Sequence, residues 1–302
     1  MRVLLSAISF EFLTGAEMYV YELGRELVRR GHEVTVIATR IKGAMEAPAR
    51  AAGLRCDTFG DLNRQGVRSL GVFDIIHVSE PSPTRWILEK FPTHPIICTI
   101  HSQYPCEEPI IDPRIRHYIC IRPEVQQKVI NQNHIPAEKT SLIYNPIDFA
   151  RFRGAAGHPR NGKSKRVLFC GTMDALRRQT IFDLMRRAPS EGFELWLLGL
   201  KADGYNGYLE CLPPGVAWFD QTWTTERYIN QCDETAGVLL GRTTIEGWAC
   251  GKPGWIYDID LQGNIRSRAL HQTPADMNKF DSVNVVNQIE ELYKRYGRPK
   301  VD

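Results

Sequence analysis

The densest group of ligand-binding candidates lies in the segment GVLLGRTTIEGWACGKP in the second half of the chain. A buried strand is expected to end at Gly241, and a helix is expected to follow it. The backbone amides of Arg242, Thr243 and Thr244 would then lie at a helix N-terminus, which favours the binding of a diphosphate. Glu246, further along this helix, could accept hydrogen bonds from the diol of a ribose.

The spacing within this segment also has a purely structural explanation. Thr243 stands three residues before Glu246, as in a capping box, where the glutamate only accepts a hydrogen bond from a backbone N–H. The residues alone leave both explanations of Glu246 open.

Further polar residues stand after predicted strands. His101 follows the apolar strand Pro95–Ile100, where an imidazole could donate to a substrate hydroxyl or stabilise developing charge, and could equally be a structural histidine. Arg177 and Arg178 follow the run VLFCGTMDAL. Because this run contains a glycine turn, the two arginines could neutralise a diphosphate there. Alternatively, they could simply form a solvated helix face.

Gly15 lies in the segment SFEFLTGAEMY, between the first predicted strand and a helix that starts near Ala16 or Glu17. A glycine in such a turn lets backbone amides approach a phosphate, although glycine is also the ordinary residue of tight turns. No G-x-G-x-x-G motif is present, so a dinucleotide site of the dehydrogenase type is not supported.

These candidates need a scaffold, and short β-branched runs that alternate with helix-length segments predict one. Strands are expected at Val3–Ala7, Glu33–Ala38, Asp74–Val78, Ile96–Ile100, Tyr118–Ile121, Arg166–Cys170, Glu194–Leu198, Val216–Phe219, Ala236–Leu240 and Trp255–Tyr257. Helices are expected at Glu17–Arg30, around Ile181–Arg187 and at Val283–Tyr296. Such alternation is typical of βαβ units, so the predicted fold class is α/β with parallel sheets.

The alternation is interrupted at residues 151–165, RFRGAAGHPRNGKSK, which are rich in Gly, Pro, Lys and Arg and have no apolar period. We therefore expect two α/β domains, residues 1–150 and 166–302, joined by this linker. The last helix, about 283–296, could cross back to the first domain. Open parallel sheets bind ligands beyond the carboxyl ends of their strands, so a cleft between the domains is the expected site.

Composition limits the classes of function. The chain has 302 residues, 38 basic and 35 acidic side chains and a formal net charge of +3, a balance that gives no electrostatic footprint for nucleic-acid binding. The eight cysteines show no zinc spacing and are predicted to be reduced thiols, which favours a cytoplasmic location. No apolar run approaches the ~18 residues of a membrane span, and MRVLLSAISF is interpreted as a first strand rather than a signal peptide.

A family resemblance rests on motifs that follow one another in this order: MRVLL, TGAEMYVYELGRELVRRGHEVTVIA, FDIIHVSEP, TIHS, YNPIDFARF, VLFCGTMDALRRQ, FELWLLG and TTIEGWACGKP. In these motifs, which cover most of the chain up to about Asp260, it resembles the glycosyltransferase family 4 enzymes. Those enzymes are retaining nucleotide-sugar transferases of the GT-B fold. The resemblance implies two Rossmann-like domains that face each other across a cleft.

The resemblance also implies roles for individual residues. Gly15 resembles the family's glycine loop near the donor phosphates, and His101 resembles its histidine near the transferred sugar. Arg177 occupies a position similar to the family's phosphate-binding lysine, and Glu246 resembles the glutamate that holds the nucleotide ribose. Catalytic roles are thus implied for His101, Arg177 and Glu246. The implied donor-binding residues are Gly15, Gly171, Thr172, Arg177, Arg178, Gly241, Arg242, Thr243, Thr244 and Glu246.

The chain departs from the family pattern around the donor. Val238 stands where the family has the first of two paired glutamates, and the loop that follows is shortened to GRTT. Thr172 stands where the family usually has an arginine. The candidates to contact the donor in place of these missing residues are therefore Arg177, Arg178 and Arg242.

The activity implied by the resemblance is that of a metal-independent hexosyl- or pentosyltransferase without a cofactor. It would move a sugar from a nucleoside-diphosphate sugar to an acceptor hydroxyl with retention of configuration. Two alternatives stay open: a sugar-nucleotide hydrolase or epimerase on the same scaffold, and a degenerate nucleotide-sugar-binding module without activity. The acceptor could be a glycan, a lipid-linked sugar, a metabolite, a protein or a modified nucleic acid.

Overall fold

The chain folds into two α/β units, each built on a sheet of mainly parallel strands. This computed structural model describes residues 1–104, 108–153, 164–202 and 210–299. Unit 1 comprises Met1–Phe12, Ala16–Pro146 and Lys279–Asp302, and unit 2 comprises Leu13–Gly15 and Ile147–Asn278. The predicted α/β fold class is confirmed.

Unit 1 contains a seven-stranded sheet in which every pairing is parallel. Its strands are β1 (Arg2–Ser6), β2 (Glu33–Ala38), β3 (Arg55–Thr58), β4 (Ile75–Ser79), β5 (Ile96–Ile100), β6 (Ile115–Cys120) and β7 (Thr140–Leu142). They lie in the order β3-β2-β1-β4-β5-β6-β7. β4 and β5 are buried along their whole length, as expected of strands covered on both faces. The short edge strands β3 and β7 were not predicted, because RCDT and TSL contain no apolar run.

Unit 2 contains a six-stranded sheet in the order β10-β9-β8-β11-β12-β13. Its strands are β8 (Lys165–Cys170), β9 (Phe193–Leu198), β10 (Val216–Phe219), β11 (Glu234–Val238), β12 (Gly254–Ile259) and β13 (Ile265–His271). All pairings in this sheet are parallel except at one edge, where β13 runs antiparallel to β12. β13 was missed because its sequence, IRSRALH, is exposed over all but its first residue and offers no buried face.

Helices connect most successive strands. The described helices are α1 (Gly15–Arg29), α2 (Gly43–Ala51), α3 (Phe59–Gln65), α4 (Pro81–Lys90), α5 (Pro123–Asn131), α6 (Phe149–Arg153), α7 (Arg178–Glu191), α8 (Thr225–Asn230), α9 (Arg242–Ala249) and α10 (Ser282–Tyr296). None of these helices combines the length and the hydropathy that crossing a membrane requires.

The amphipathic pattern of α1 explains its place on unit 1. Tyr19, Leu23 and Leu27 repeat at intervals of four residues and are all buried. Gly31, with a φ of 83°, follows the helix and ends it in the left-handed region. The helix begins at Gly15 rather than at the predicted start.

A buried chain of polar side chains fixes α10 to the sheet of unit 1. The Tyr293 hydroxyl lies 2.7 Å from His77 Nδ1, and His77 Nε2 lies 2.6 Å from Thr99 Oγ1. Thr99 Oγ1 also contacts the Tyr19 hydroxyl, at 3.0 Å. Burial lowers the pKa of His77 to about 3, so its imidazole is neutral and bonded at both nitrogens. The last helix of the chain is thereby tied to β4 and to the end of β5.

The predicted linker, residues 151–165, lies mainly outside the described residues. Its first three residues form the end of α6, residues 154–163 are not described, and Lys165 begins β8. Asp148 Oδ1 accepts a hydrogen bond from the Arg151 amide at 3.2 Å, the arrangement of a helix N-cap. This contact gives Asp148 a structural role at the start of α6.

Two glycines let α9 approach the sheet of unit 2 closely. A Cβ atom on Gly247 would lie 2.5 Å from Thr235 Oγ1 of β11. A Cβ atom on Gly254, at the start of β12, would lie 2.9 Å from Thr244 Cγ2. Because interiors are close-packed, any larger residue would push the helix off the strands. The glycines of the predicted binding segment therefore set the position of α9 against the sheet.

Candidate functional site

The strand order of unit 2 creates a switch point between β8 and β11. The chain moves from β8 to β9 on one side and later returns to β11 on the other. In open α/β sheets, ligands bind beyond the carboxyl ends of the strands at such a point. Gly171 directly follows β8, and Gly241 follows β11 and precedes α9. The structure thus brings the two predicted donor-binding segments of unit 2 to the same edge.

A hydrogen bond joins the two segments. Thr243 Oγ1 donates to the carbonyl oxygen of Cys170 at 2.9 Å, which ties the first turn of α9 to the last residue of β8. The thiol of Cys170 is also close to Glu246, and burial raises its pKa to about 12. Cys170 therefore stays a neutral thiol and acts as a packing residue here.

The capping-box explanation of Thr243 and Glu246 is wrong. The N-cap residue of α9 is Gly241, in extended conformation, so Thr243 is the second helical residue and its hydroxyl bonds to Cys170 instead. Leu239 allows this early start, because its left-handed φ of 56° turns the chain sharply after β11. No side chain caps the first turn of α9 at this position. An anion could therefore approach the amides of this turn.

Glu246 is buried and paired with Arg242. Arg242 Nε lies 2.7 Å from Glu246 Oε1, and the two side chains are only 10% and 7% exposed. The pair spans one turn of the helix, so both residues lie on the same face of α9. A carboxylate has about four acceptor sites, so Glu246 retains the capacity to bind a diol while it holds Arg242.

Arg177 lies against Gly171. A Cβ atom on Gly171 would be 3.5 Å from Arg177 Nε, so the guanidinium covers the residue that follows β8. Asp174 holds this arginine through its Oδ2 atom, and Asp174 Oδ1 accepts a hydrogen bond from the Arg177 amide at 3.0 Å. Sequence reasoning missed Asp174, whose only signal was a carboxylate three residues before the arginine.

Arg178 does not lie with Arg177 and Asp174 beside Gly171. Arg178 is the first residue of α7, is exposed, and lies 5.2 Å from the ring of Phe182. Thr172 stays beside Gly171, and its carbonyl oxygen accepts a hydrogen bond from the Asp174 amide at 3.1 Å. Only one of the two neighbouring arginines therefore lies at the switch point.

Thr244 packs its side chain against the sheet. The whole residue is buried, and a Cβ atom on Gly237 of β11 would lie 3.2 Å from Thr244 Oγ1. This hydroxyl has no hydrogen-bond partner among the described residues. The side chain of Thr244 therefore belongs to the packing between α9 and the sheet.

Gly199 is a second residue that sequence reasoning missed. It directly follows β9, has a φ of 145°, and a Cβ atom there would lie 2.0 Å from the carbonyl oxygen of Gly171. Two neighbouring strand ends therefore touch through their backbones, which only glycine permits. The glycine in the motif FELWLLG was the available signal.

His101 lies at the carboxyl end of β5 in unit 1. Its ring is 4.9 Å from that of Tyr19 in a T-shaped arrangement, and its Nε2 atom is buried without a partner among the described residues. Burial lowers the pKa of His101 to about 4, and the nearby Arg122 guanidinium adds to this effect. The imidazole is therefore neutral near pH 7. With Glu80 and Glu108 it lines a cavity of ≈ 10 Å³, room for about one water molecule.

Glu80 marks the switch point of unit 1, between β1 and β4. It follows β4 with a left-handed φ of 69°, and its Oε2 atom accepts a hydrogen bond from the Ile8 amide at 2.7 Å. A non-glycine residue in this conformation costs about 1–3 kcal/mol, which the surrounding contacts must offset. The motif FDIIHVSEP contained this residue, but sequence reasoning gave it no role.

Gly15 is the first residue of α1 and is exposed. Apart from its chain neighbours and the backbone of its own helix, no atom of the described residues lies within 4 Å of the position that its Cβ would take, and its φ is not positive. The preceding loop is held by Glu17, whose carboxylate accepts hydrogen bonds from the amides of Glu11 and Phe12 at 2.9 and 3.1 Å. The fold itself therefore does not require a glycine at position 15.

Solved structures share this architecture over nearly the whole chain. A glycosyltransferase from Rickettsia africae ESF-5 is 12% identical with a TM-score of 0.73 and covers 98% of each chain. Alr3699/HepE from Anabaena, solved with UDP-glucose, is 16% identical with a TM-score of 0.74 and covers 98% of this chain and 100% of that one. An alpha-glucosyltransferase solved with UDP and a 13-mer DNA containing an HMU base is 13% identical with a TM-score of 0.65, over 97% and 90% of the two chains. The class of fold is therefore GT-B, as predicted.

The family is indicated by the sequence itself. The sequence model of Glycosyltransferase Family 4 matches residues 13–151, a region that includes Gly15 and His101. The predicted resemblance to glycosyltransferase family 4 is thereby confirmed. No curated protein matches the chain by sequence.

Proposed function

We propose that this protein is a retaining glycosyltransferase that transfers a sugar from a nucleoside-diphosphate sugar to an acceptor hydroxyl. The observation that carries the proposal is the hydrogen bond between Thr243 and the end of β8, which joins two predicted donor-binding segments at the switch point of unit 2. UDP sugars are the donors to test first, because Alr3699/HepE was solved with UDP-glucose.

The donor diphosphate would bind at the first turn of α9. The amides of Arg242, Thr243 and Thr244 belong to this turn, and the N-cap Gly241 offers no side chain that would compete with a phosphate. Glu246 would hold the ribose diol through the acceptor capacity that Arg242 leaves unused. Both hydroxyls of a ribose are donors to a carboxylate, so the buried charge of Glu246 favours them.

Arg177 would stabilise the departing nucleoside diphosphate. In the free protein its guanidinium is paired with Asp174 beside Gly171. An incoming phosphate would compete with Asp174 for this arginine, and the developing negative charge on the leaving group would favour the exchange. Preorganised charge of this kind is usually the largest single contribution to catalysis. With two cationic side chains assigned to the leaving group, Arg177 and Arg242, the proposed reaction uses no metal ion.

His101 and Gly15 complete the proposal. As a neutral imidazole, His101 can donate one N–H to a hydroxyl of the transferred sugar without placing a full charge there. Gly15 leaves open space at the start of α1, which a phosphate of the donor could occupy. The nature of the acceptor and the cytoplasmic location stay predictions from the sequence.

The experiment is a screen of nucleoside diphosphates and their sugars by thermal denaturation. A ligand present at about a thousand times its dissociation constant stabilises the folded protein by about 4 kcal/mol. We expect UDP or a UDP sugar to raise the melting temperature clearly. A screen in which no nucleoside diphosphate or nucleotide sugar has any effect would contradict donor binding.

Product analysis separates the transferase from the enzyme alternatives. Incubation with the bound nucleotide sugar and no acceptor should leave the donor largely intact. Release of free sugar, or formation of an epimer, would favour the hydrolase or epimerase. A chelator tests the metal-independent mechanism in the same assay, and it should leave the rate unchanged.

A further inference from the structure

A groove rich in basic residues lies at the amino ends of β5, β6 and β7 in unit 1. It has a volume of ≈ 690 Å³, within the range of about 300–1,000 Å³ that is typical of small-molecule sites. One wall consists of residues just before or at the start of these three strands, and the end of α10 forms the other wall. We call it the basic groove and define it by His94, Arg114, Arg116, Lys139, Arg295 and Arg298.

The charges in the basic groove are unbalanced. Five cationic side chains line it, against one carboxylate, that of Glu138. Arg114 is neutralised by Asp112, with Nη2 and Oδ2 2.7 Å apart. Among the residues that the structure describes, no carboxylate pairs with the other four cations, which are Arg116, Lys139, Arg295 and Arg298.

Several arginines elsewhere on unit 1 have an acidic partner, whereas four cations gather in this groove without one among the described residues. Arginines elsewhere on unit 1, such as Arg30, Arg50 and Arg64, have glutamate or aspartate partners within 4 Å. Like charges that gather in one groove repel one another, and water weakens the repulsion here because Arg116, Lys139 and Arg295 are exposed. A bound anion would relieve it.

The walls of the groove are held in place by the fold. Arg295 lies 5.2 Å from the ring of Tyr296, and that ring stacks on His117 at 5.3 Å. The Arg298 amide donates to the carbonyl oxygen of Asp74 at 2.8 Å. The cations on the α10 side therefore sit on an ordered wall, which lowers the ordering cost of binding a ligand.

His94 adds an unsatisfied polar group to the same wall. Both of its ring nitrogens are buried and have no hydrogen-bond partner among the described residues. Burial lowers the pKa of His94, and the Arg298 guanidinium lowers it further. A neutral imidazole has one N–H donor and one acceptor nitrogen, and neither has a partner among the described residues.

We propose that the basic groove binds a ligand that carries two or more phosphate groups. The guanidinium group matches phosphate oxygens in pairs, and the three arginines that lack a carboxylate partner among the described residues, with one lysine, carry more positive charge than Glu138 and a single phosphate of about −2 would balance together. A concave site fits a compact anionic group better than a flat surface does. The ligand is either a free phosphorylated metabolite or the headgroup of a phosphorylated lipid.

The basic groove is separate from the predicted site around His101. His101 follows the carboxyl end of β5, whereas the groove lies at its amino end. Five residues in a strand span about 17 Å. The proposal therefore does not depend on the proposed transferase activity.

Calorimetric titration of the full chain with inorganic pyrophosphate tests the proposal. We expect binding that weakens with added salt, and that is tighter than the binding of inorganic phosphate. The combined substitution Arg116→Gln, Arg295→Gln and Arg298→Gln should weaken pyrophosphate binding by about tenfold or more. The corresponding lysine variant keeps the charge but loses the paired donors. Its affinity for pyrophosphate should therefore lie between those of the native chain and the glutamine variant.

Two controls make the titration decisive. The substitution Arg50→Gln, Arg64→Gln and Arg68→Gln removes the same charge from exposed positions of unit 1, and it should not change pyrophosphate binding. Arg177→Gln tests whether pyrophosphate binds at unit 2 instead. The proposal is overturned if the groove variants bind pyrophosphate like the native chain, or if the control set weakens binding equally.

Sedimentation with vesicles distinguishes the two sources of the phosphate groups. Vesicles of phosphatidylcholine with phosphatidylinositol bisphosphate should retain the native chain, and not the groove variant, if the ligand is a lipid headgroup. If the ligand is a free metabolite, pyrophosphate binds but these vesicles do not retain the chain. Equal retention of the native chain and the groove variant would contradict the lipid form of the proposal.

Discussion

Arg242 and Glu246 form an ion pair along one face of α9, with Nε and Oε1 2.7 Å apart. The residue predicted to neutralise a diphosphate is therefore bound to the residue predicted to hold a ribose. Because both side chains are almost completely buried, removal of either partner leaves an uncompensated charge away from water. Tests of the two roles need substitutions that keep the shape of the side chain and readouts that separate binding from folding.

Glu246→Gln keeps the shape of the side chain and removes its charge. We expect UDP affinity to fall by about tenfold to a hundredfold, because hydrogen bonds to a charged group contribute about 1.5–3 kcal/mol. The free energy of unfolding should also fall, because Arg242 loses its counter-charge. Calorimetry with UDP measures the first effect, and thermal denaturation measures the second.

Glu291→Gln is the matched control. Glu291 lies on α10, is 71% exposed and pairs with Lys294, so it undergoes the same chemical change outside the site. Neither UDP affinity nor stability should change. Native-like UDP affinity in Glu246→Gln would remove Glu246 from the proposed site.

Arg177 and Arg178 differ in what they contact, although they are neighbours in sequence. Arg177→Gln should weaken the binding of nucleoside diphosphates by about tenfold, because a charge-assisted contact to phosphate is lost. Arg178→Gln should leave binding unchanged, since Arg178 is exposed against Phe182. Titration of both variants with UDP and with uridine checks this. Equal losses, or losses that also affect uridine, would contradict the assignment of Arg177 to the phosphates.

Two glycine substitutions separate a ligand requirement from a folding requirement. Gly15→Ala meets no atom within 4 Å, so stability should be unchanged while the KM for the donor rises. Gly199→Ala places a Cβ atom 2.0 Å from the Gly171 carbonyl oxygen, so unit 2 should lose stability by more than about 2 kcal/mol. Urea denaturation and donor kinetics of both variants measure the two effects. Unchanged donor kinetics in Gly15→Ala would make this glycine an ordinary turn residue.

Buried histidines predict a loss of stability in mild acid. The pKa values of His77 and His117 are lowered from 6.5 to about 3 and about 4, mainly by burial. Below pH 6.5 the unfolded chain takes up protons that the folded chain does not, so the free energy of unfolding falls as pH falls. Each histidine should lower the free energy of unfolding by about 2 kcal/mol at pH 5 and should have no such effect above about pH 7.

Urea denaturation at pH 7 and pH 5 measures this dependence. His77→Gln and His117→Gln should each reduce the difference between the two pH values, whatever their effect at pH 7. His271→Gln is the control, because His271 is exposed on β13. If all three variants keep the native pH difference, the buried histidines are not its cause.

Local sequence patterns determined most of the elements. Short stretches of consecutive residues show the buried runs of β4 and β5 and the amphipathic face of α1. These patterns predicted the α/β class and the parallel sheets. The exposed β13 and the short β3 and β7 escaped prediction because they contain no such pattern. An edge strand forms because it pairs with a neighbouring strand, and its own sequence does not show which strand that is.

The candidate site was only partly visible in the sequence. The glycine-rich segment around Gly241 indicated a helix N-terminus, but a capping box at Thr243 stayed open as an explanation, because the sharp turn at Leu239 has no sequence signal. The residue pattern alone also did not distinguish Arg177 from Arg178, although the family resemblance favoured Arg177. That choice depends on which side chain lies against Gly171 once β8 and α7 have packed.

The sequence by itself therefore determined the α/β class, because the patterns of strands and helices lie in consecutive residues. The tertiary structure alone decided which charges are paired. Arg242 meets Glu246 within one helix, but Arg116, Lys139 and Arg298 converge from distant segments of unit 1. A net charge of +3 shows none of this, because electrostatic interaction depends on distance in space and on solvent exposure rather than on composition.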